Sequence, residues 1–450
     1  MNELETRLYA LLARPMRAEE LKKYLPAYSK QQIRQALDQL TNEGKILKNK
    51  KNRYAHAEHY GCLTGVFQAT ERGYGFVTPE TPDENGDVFI PPYATGKAWQ
   101  GDRVLVHLTD SPRGHKREGE VMRILSLCTD EVTGTVMQRG KTVFVRPASK
   151  KYPDLIIPKN RTLDARSGDR VAVKVMFRGD GRLSAQGAIT QIFGRNGTME
   201  ASIAAILHEN GITVPFPDEI LRQADACGDT VDPAEAARRM DLREKLIFTI
   251  DGDDARDFDD AVSLEPMENG HMLLGVHIAD VSHYVTPGSP LDDEAYRRGT
   301  SVYYPGHVVP MLPVALSNGI CSLNPDVDRL AFSAFLEVDK DGRCHKSQFA
   351  KTVIRSKARM TYRKMNEIFD GNEERRAEYA FLTETADRMH ALSQAMRRRR
   401  MERGALDLDL PEAEILTDES GEPVEVSFRA RGDAEKMIEE FMLAANEAVA

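Results

Sequence analysis

Apolar positions near the N-terminus recur at helical spacing. Residues 29–44 (SKQQIRQALDQLTNEG) begin with a capping-box pair, Ser29 and Gln32, and end at a stop signal, Gly44. The apolar side chains of this segment share one helix face: Ile33, Ala36, Leu37 and Leu40. Two shorter helical patterns precede it, and KILKNKKNRYAHA follows as two strand-like pieces around a basic turn. We predict a winged helix-turn-helix over residues 1–57, which binds nucleic acid or packs against other domains; the basic hairpin favours the former.

The next two segments repeat one pattern of short apolar strands. Residues 64–108 contain TGVFQ, GYGFV, DVFIPP and QGDRVLVHL, and residues 133–175 contain TGTVMQ, TVFVRP, DLIIPK and SGDRVAVKV in the same order. Short strands separated by turn residues are typical of small all-β barrels. We therefore predict two tandem barrels, over residues 62–127 and 130–194.

The remainder of the chain is first helical and then mixed. Residues 195–239 are polar, helical in pattern and interrupted by prolines, which predicts a connector. From there on, strand-like runs such as KLIFTI and HMLLGVHIADV are followed by long helical ones. This order predicts an α+β domain over residues 240–450, and the fold class is therefore multidomain.

Aromatic side chains line one face of the first predicted barrel. Tyr74 and Phe76 alternate with glycines on one strand, and Phe89 falls on its predicted neighbour. A strand aromatic more often belongs to the core, but the glycines leave this face open to a flat ligand. A base stacked on such a ring contributes about 1–3 kcal/mol. Because only Phe144 corresponds in the second barrel, we expect the first barrel to do more of the base stacking.

The two strands that carry these rings also resemble a known nucleic-acid-binding motif. GYGFV and DVFIP are similar to the ribonucleoprotein motifs of cold-shock domains. The resemblance implies a five-stranded OB-type barrel that binds single-stranded nucleic acid.

Composition adds little except by exclusion. The 450 residues are 41% hydrophobic and 29% charged with a net charge of −9, as in an ordinary globular protein. No apolar run approaches the about 18 residues of a membrane span, and the N-terminus lacks a signal-peptide pattern, so we expect a cytoplasmic protein without membrane contact. The five cysteines are far apart without a CxxC pair, which indicates reduced thiols rather than disulfides or a zinc site.

The most unusual stretch is LIFTIDGDDARDFDDAV, residues 246–262, with six aspartates in ten positions. Like charges about 4 Å apart repel by about 1 kcal/mol in water and about 4 kcal/mol at an effective dielectric of about 20. Four of the six can converge on one point if the loop folds back between its strands: Asp251, Asp257, Asp259 and Asp260. Such a set suits Mg²⁺, which binds carboxylates and substrate phosphate, and two such ions would support an in-line phosphodiester displacement.

Three other interpretations compete with a metal site. A calcium EF-hand fails, because counting from Asp251 its fifth, sixth and twelfth positions are Ala255, Arg256 and Val262. A solvated surface loop is the common fate of charge runs, although such loops seldom lie directly between two apolar strands. A glycosidase-type carboxylate pair is possible chemically, but nothing else in the chain suggests sugar binding.

A resemblance to a known family bears on this choice. DLREKLIFTIDGDDARDFDDAV is similar to the opening motif of the catalytic RNB domain of the exoribonuclease family that includes ribonuclease II and ribonuclease R. The order of helix-turn-helix, two cold-shock barrels and RNB domain resembles that family over essentially the whole chain. It implies a Mg²⁺-dependent, processive, hydrolytic 3′–5′ exoribonuclease that releases nucleoside 5′-monophosphates in RNA decay and quality control. The family's catalytic, metal-binding aspartates fall on Asp251, Asp257, Asp259 and Asp260.

The resemblance also implies roles outside the aspartate loop. Within RRGTSVYYPGHVVPMLP, Tyr303 is expected to stack on the 3′-terminal nucleotide, with Tyr304 facing the core. In MIEEFMLAAN, Glu439 is the better match, and Glu440 the second, for a glutamate at the substrate end of the RNA channel. The run Arg397–Arg400 reads as a solvated helix face or as RNA-backbone contacts.

The partners follow from the same resemblance. We expect single-stranded RNA 3′ ends, and structured RNA as a further substrate, with no DNA substrate and a monomeric protein. Family members continue beyond this point with the rest of the RNB domain, so we expect a chain truncated within that domain. A different class of function, RNA binding without catalytic turnover, is the alternative that an incomplete domain predicts.

Overall fold

A computed structural model describes residues 1–81, 86–109, 117–179, 183–304, 307–406, 412–418, 423–429 and 431–450. The chain divides into two compact units, Met1–Ile212 and Thr213–Ala450. Within those described stretches, no helix is both long and apolar enough to cross a membrane.

The described residues contain twelve α-helices. In chain order they are α1 (Glu3–Leu11), α2 (Ala18–Tyr24), α3 (Lys30–Asn42), α4 (Met199–Glu209), α5 (Asp218–Asp225), α6 (Pro233–Ala236), α7 (Val281–Tyr284), α8 (Pro290–Arg298), α9 (Tyr362–Phe369), α10 (Glu373–Glu378), α11 (Ala380–Glu402) and α12 (Asp433–Val449).

The strands are named in the same way. They are β1 (Ile46–Lys48), β2 (Tyr54–His56), β3 (Cys62–Ala69), β4 (Gly75–Pro79), β5 (Val88–Ile90), β6 (Arg103–Thr109), β7 (Glu118–Ser126), β8 (Glu131–Arg139), β9 (Thr142–Pro147), β10 (Leu155–Ile157), β11 (Asp169–Phe177), β12 (Gln186–Arg195), β13 (Met240–Asp241), β14 (Thr249–Asp251), β15 (Asp260–Pro266), β16 (Met272–Ala279), β17 (Val302–Tyr304), β18 (His307–Val309), β19 (Asp328–Val338), β20 (Cys344–Arg355), β21 (Arg359–Thr361), β22 (Glu412–Thr417) and β23 (Pro423–Arg429).

The N-terminal segment consists of three helices and a two-stranded hairpin. Helix α3 is capped as its sequence predicts: the Gln32 amide donates to Ser29 Oγ at 3.2 Å, and the Ser29 amide donates to Gln32 Oε1 at 2.8 Å. Its apolar face is buried against α1 and α2. Strands β1 and β2 pair antiparallel, with Leu47 opposite Ala55. The winged helix-turn-helix interpretation of these elements stays a prediction.

The internal repeat forms two closed five-stranded barrels, which confirms that part of the predicted fold. The strand orders around the barrels are β3-β4-β5-β7-β6 and β10-β12-β11-β8-β9. The TG pair that opens each repeat has a packing reason: a side chain at Gly65 or Gly134 would overlap the backbone oxygen of Thr78 or Arg146 on the adjacent strand. Close approach of two backbones therefore requires glycine at both places.

The helices of the predicted connector belong to different units. Helix α4 packs on the second barrel, where His208 Nε2 lies 2.8 Å from Glu131 Oε2 on β8. Helix α5 packs in the second unit, where Ile220 and Ala224 share a core cluster with Leu291 of α8. The boundaries proposed for the five sequence segments stay a prediction.

The second unit is built on a five-stranded sheet of order β13-β20-β19-β16-β15. Helices α9, α11 and α12 cover one face of it, and their apolar side chains form a single core cluster with the strands. Alternate residues of β19, such as Ala334, Leu336 and Val338, point into this cluster, as the two-residue period of a strand requires. The separate parallel pair β14–β21 places Asp251 opposite Thr361.

A buried polar chain crosses the middle of this sheet. The ring of His277, which is fully buried, lies between Ser263 Oγ (3.0 Å from Nε2) and Ser333 Oγ (2.8 Å from Nδ1). Ser333 Oγ lies 2.7 Å from Thr352 Oγ1, which donates to the Ala331 carbonyl at 3.2 Å. Because the Thr352 proton is used there, Ser333 donates to Thr352 and His277 donates from Nδ1 to Ser333. This chain of bonds therefore fits a neutral imidazole.

Candidate active site

The acid loop, residues 251–260, runs from the last residue of β14 to the first residue of β15. Its middle is pinned by the buried side chain of Phe258. The Phe258 amide donates to Ser322 Oγ at 3.0 Å, and the Leu323 amide donates to the Phe258 carbonyl at 2.9 Å. Ser322 Oγ in turn donates to the Arg256 carbonyl at 3.0 Å. The two strands hold the ends of the loop, and the Ser322 region holds its centre.

Four carboxylates of the loop lie close enough to repel one another. Burial, followed by the charges of Asp251 and Asp259, raises the pKa of Asp260 to about 6. The pKa of Asp259 is also raised, first by burial and then by the charges of Asp257 and Asp251. Asp260 Oδ2 is buried and has no hydrogen-bond partner within the described residues. The structure thus brings near one another the four aspartates singled out from the sequence.

The donor chemistry of these four side chains fits a hard divalent cation. Their oxygens are the ligands that such ions prefer, and the charges of neighbouring carboxylates raise the pKa values of Asp259 and Asp260. The buried Oδ2 of Asp260 lacks a hydrogen-bond partner among the described residues. In the part of the chain that the structure describes, no group of three or more His, Cys, Asp or Glu side chains is arranged to hold a metal ion.

Two arginines hold the acid loop at Asp253 and Ala255. They are Arg359 of β21 and Arg363 of α9, and we call them the arginine clamp. Arg359 Nη2 donates to the Asp253 carbonyl at 2.6 Å and to the Ala255 carbonyl at 3.0 Å. Arg363 Nε donates to Asp253 Oδ2 at 2.9 Å, and its Nη2 donates to Oδ1 at 3.4 Å. The Arg363 guanidinium is the main cause of a lowered pKa at Asp253.

Sequence reasoning missed the clamp and left Asp253 and Asp254 without roles. Arg359 and Arg363 are 106 and 110 positions away from Asp253, and their stretch, RSKARMTYRK, carries no signal beyond its basic residues. The structure separates the two aspartates. The Asp254 side chain is exposed and, among residues with described positions, takes part in no hydrogen bond or ion pair.

Tyr303 lies beside the acid loop. It sits in the middle of β17, and its Oη donates to Asp257 Oδ2 at 2.8 Å. Burial, followed by the Asp257 carboxylate, raises the pKa of this phenol. The side chain is 67% exposed, so the ring face is accessible while the hydroxyl is held. Tyr304 does not enter the core as expected: it is half-buried and stacks on His307, with ring centroids 5.4 Å apart.

Among the described residues, Glu439 and Glu440 of α12 pair with arginines and not with residues of the acid loop. Glu439 is half-buried and accepts from Arg431 and, at 3.5 Å, from Arg400 Nη2. Glu440 is buried and accepts from Arg400 Nη2 at 2.6 Å. Arg397 Nη1 also lies 3.7 Å from Glu440 Oε1, so two members of the run Arg397–Arg400 form internal ion pairs.

The three aromatic rings of the first barrel form one cluster on its outer face. Phe76 of β4 lies opposite Phe89 of β5 in the strand register, with ring centroids 5.8 Å apart. The Tyr74 ring lies 5.8 Å from Phe76 and 5.6 Å from Phe89. All three are half-buried, while their strand neighbours Gly75 and Val77 point inward. The corresponding face of the second barrel carries Phe144, with the Arg146 guanidinium 5.9 Å from its ring centroid.

Comparison with known families assigns a match to three parts of the chain. Residues 239–450 match the RNB domain family, residues 65–124 match the ribonuclease B OB domain family, and residues 144–217 match the cold shock domain family. The second and third matches overlap the two barrels, and the first contains the acid loop, the clamp and Tyr303.

Curated and solved relatives point in the same direction. Ribonuclease R 1 of Lactococcus lactis is 40% identical over 86% of this chain and 49% of its own length. Ribonuclease R of Thermotoga maritima is 37% identical over 97% of this chain and 62% of its own length. The structure of Mycoplasma genitalium RNase R in complex with ribose methylated single-stranded RNA has a TM-score of 0.75 at 28% identity, covering 86% of this chain and 61% of that one. The chain thus spans about half to three fifths of these relatives.

Proposed function

The chain belongs to the RNB ribonuclease family as a homologue of the ribonuclease R proteins, and on that premise we propose that it is a hydrolytic 3′–5′ exoribonuclease. Its proposed substrate is RNA with a single-stranded 3′ end, degraded processively to nucleoside 5′-monophosphates in RNA decay and quality control. The observation that carries the proposal is the proximity of Asp251, Asp257, Asp259 and Asp260 in the acid loop, where burial and the neighbouring carboxylates raise the pKa values of Asp259 and Asp260.

The proposed cofactor is Mg²⁺, held by the same four aspartates. When bound, Mg²⁺ would polarise the phosphoryl oxygens and stabilise the charge that develops at the scissile phosphodiester. The buried Oδ2 of Asp260 offers a lone pair that no group among the described residues uses. Asp251 and Asp260 are carried by strands, which keeps two of the four carboxylates on fixed backbone while the loop carries the others.

Tyr303 is proposed to hold the last nucleotide of the RNA. Its ring face is accessible to a base, and the hydrogen bond from Oη to Asp257 fixes the ring beside the carboxylates. Stacking there would place the terminal phosphodiester near the site of hydrolysis. Glu439, whose carboxylate is oriented by Arg431 and Arg400, is proposed to contact the RNA further along α12.

The first barrel is proposed to bind the unpaired strand upstream of the cleaved end. The cluster of Tyr74, Phe76 and Phe89 offers rings on which bases stack without sequence preference. We further propose that the protein acts in the cytoplasm as a monomer, with structured RNA as a second substrate and no activity on DNA.

A direct test uses RNA with an unpaired 3′ tail. In Mg²⁺, the protein should release nucleoside monophosphates, detected by chromatography, and chelation with EDTA should stop the release. Asp259→Asn should reduce the rate at least about 100-fold, because it removes one of the shared carboxylates. Asp254→Asn removes the same charge from an exposed site in the loop and should keep the wild-type rate.

Two outcomes would count against the proposal. RNA decay that neither EDTA nor Asp259→Asn alters would show that the aspartates do not carry the chemistry. RNA binding without decay at any Mg²⁺ concentration would instead support the alternative, an RNA-binding module without turnover.

A further inference from the structure

We infer that Arg359 and Arg363 are positioning residues, which act through Asp253 to set the spacing of the carboxylates in the acid loop. The catalytic consequence of this inference rests on the proposed function. Its geometric part rests only on the contacts between the clamp and the loop.

Arg359 fixes the shape of the turn. One of its nitrogens, Nη2, donates to two carbonyl oxygens, those of Asp253 and Ala255, so these must converge on a single point. Its guanidinium carbon also lies 5.1 Å from the centroid of the Phe258 ring, the buried anchor of the loop. A single side chain therefore ties together residues 253, 255 and 258, and the backbone between them leads directly to Asp257 and Asp259.

Arg363 ties the loop to the start of a helix. It occupies the first turn of α9, and its two donors bind both oxygens of Asp253. The Thr361 side chain, which caps α9, also lies near enough to the Asp253 carboxylate to lower its pKa. Thr361 lies opposite Asp251 in the parallel β14–β21 pair. The clamp and the first carboxylate of the site therefore share one rigid frame.

These contacts contribute little to stability, which favours a positioning role. The Arg363–Asp253 pair is about half exposed on both sides, and ion pairs open to solvent contribute little to stability. Arg359 Nε is buried without a hydrogen-bond partner in the described structure, and a buried unpaired donor costs free energy. Because the unpaired Nε of Arg359 lowers stability, the position of this side chain is better explained by its contacts with the acid loop than by a contribution to folding.

The clamp also distinguishes Asp253 from its neighbour Asp254. Both oxygens of Asp253 are occupied by Arg363, so this carboxylate orients the loop and is not free to bind a metal ion. Asp254, the next residue, carries the same charge and makes no such contact with the part of the chain that the structure describes. The pair Asp253 and Asp254 is thus a matched comparison that the chain itself supplies.

The first experiment compares Asp253→Asn with Asp254→Asn in the whole chain. Loss of an outer partner that orients metal ligands typically lowers metal affinity or activity about 10–100-fold. Asp253→Asn should therefore weaken Mg²⁺ binding, measured by calorimetry without RNA, by that factor and lower kcat similarly, while KM for RNA stays within about twofold. Without metal, hydrogen exchange at residues 252–258 should be faster in Asp253→Asn than in the wild type. Asp254→Asn should match the wild type in all of these measurements.

The second experiment substitutes the arginines. Arg363→Lys should recover part of what Arg363→Gln loses, because it keeps one charged donor for Asp253. Arg359→Lys should recover a smaller share of what Arg359→Gln loses. The reason is that a lysine ammonium cannot bind both carbonyl oxygens and also stack on Phe258 as the planar guanidinium does. The double variant Asp253→Asn with Arg363→Gln should be no worse than the more severe single variant, because the two changes remove one interaction.

The results separate this inference from the proposed function. Equal Mg²⁺ affinity and equal loop exchange in Asp253→Asn and Asp254→Asn would overturn the clamp, whatever Asp259→Asn does to RNA decay. If the wild-type chain does not degrade RNA, the proposed function fails, but Mg²⁺ binding and loop exchange still decide whether the clamp positions the carboxylates. Additive losses in the double variant would also contradict a shared interaction.

Discussion

At the residue scale, the aspartates of the acid loop lie in different electrostatic settings. The Asp253 carboxylate accepts hydrogen bonds from the Arg363 guanidinium, which hold its pKa below the ordinary value. Asp259 and Asp260 face burial and like charges, which raise theirs. A bound cation would relieve the second setting and leave the first unchanged. Aspartates that are close together in the sequence therefore have pKa values shifted in opposite directions: lowered at Asp253 and raised at Asp259 and Asp260.

The roles of ring and hydroxyl at Tyr303 can be separated by two substitutions. Tyr303→Phe removes the bond to Asp257 and keeps the ring, whereas Tyr303→Ala removes both. In an Asp259→Asn background, Tyr303→Ala should weaken binding of a single-stranded RNA 3′ end by about 1–3 kcal/mol, the value of one stacked base. Tyr303→Phe should change the Kd, measured by fluorescence anisotropy, by less than about threefold.

Tyr304 provides the control for this pair. It is adjacent on β17, so its side chain leaves the strand on the opposite side, and it stacks on His307. Tyr304→Ala should therefore leave affinity for the RNA end close to that of the background. Equal losses in Tyr303→Phe and Tyr303→Ala would mean that the hydroxyl, not the ring, makes the contact.

At the element scale, the central sheet has an apolar face under its helices and a buried polar chain that crosses β15, β16, β19 and β20. His277 on β16 is the titratable member of that chain, and burial lowers its pKa to about 3. In the unfolded chain the same side chain titrates near its ordinary value of about 6.5. Between these two values the unfolded state binds the extra proton, so stability falls as pH falls from about 6.5 toward 3.

A substitution that cannot titrate should remove this part of the acid sensitivity. His277→Gln should lower stability at pH 7, because it disturbs a fully buried hydrogen-bonded chain, yet its stability should fall less steeply than wild type between pH 6.5 and 4. The measurement is urea unfolding at a series of pH values, followed by hydrogen exchange of the amides of β16 and β19.

The control for this prediction is His59→Gln, a change at an exposed histidine in the first unit. It should not alter the pH dependence of the sheet amides. Parallel curves for wild type and His277→Gln would show that the imidazole is not the source of the slope.

At the scale of the whole molecule, a net charge of −9 opposes the approach of RNA. Binding then depends on local features, such as the half-buried rings of Tyr74, Phe76 and Phe89 on the first barrel and basic side chains that contact phosphates. These two kinds of contact respond differently to salt. Stacking is largely independent of ionic strength, whereas each neutralised phosphate adds about −0.7 to the slope of log affinity against log salt for a single strand.

Removing the rings should weaken binding without changing the salt dependence. Phe76→Ala and Phe89→Ala should each reduce affinity for single-stranded RNA by about 1–3 kcal/mol at every salt concentration, with the wild-type slope retained. Tyr93→Ala, which removes an exposed ring of the same barrel outside the cluster, should have little effect. Anisotropy titrations over a range of salt concentrations measure both quantities. Affinity independent of salt in the wild type would contradict the phosphate contacts.

Much of the architecture was already determined by the sequence. The capping box of α3 and the repeated strand pattern of the barrels depend on residues only a few positions apart, because helix and strand periods are local. The four aspartates could be singled out for the same reason, since they share one loop of ten residues. The spacing of residues within a short segment is therefore sufficient to predict a helix cap, a strand pattern or a cluster of aspartates in one loop.

Only the tertiary structure decided which distant side chains meet those local features. The clamp reaches Asp253 across 106 and 110 positions, and the Tyr303 hydroxyl reaches Asp257 across 46. No periodicity records such pairs, because they form when β21 pairs with β14 and β17 folds beside the loop. The pKa differences among the aspartates arise at the same stage, since burial and neighbouring charge exist only in the folded chain.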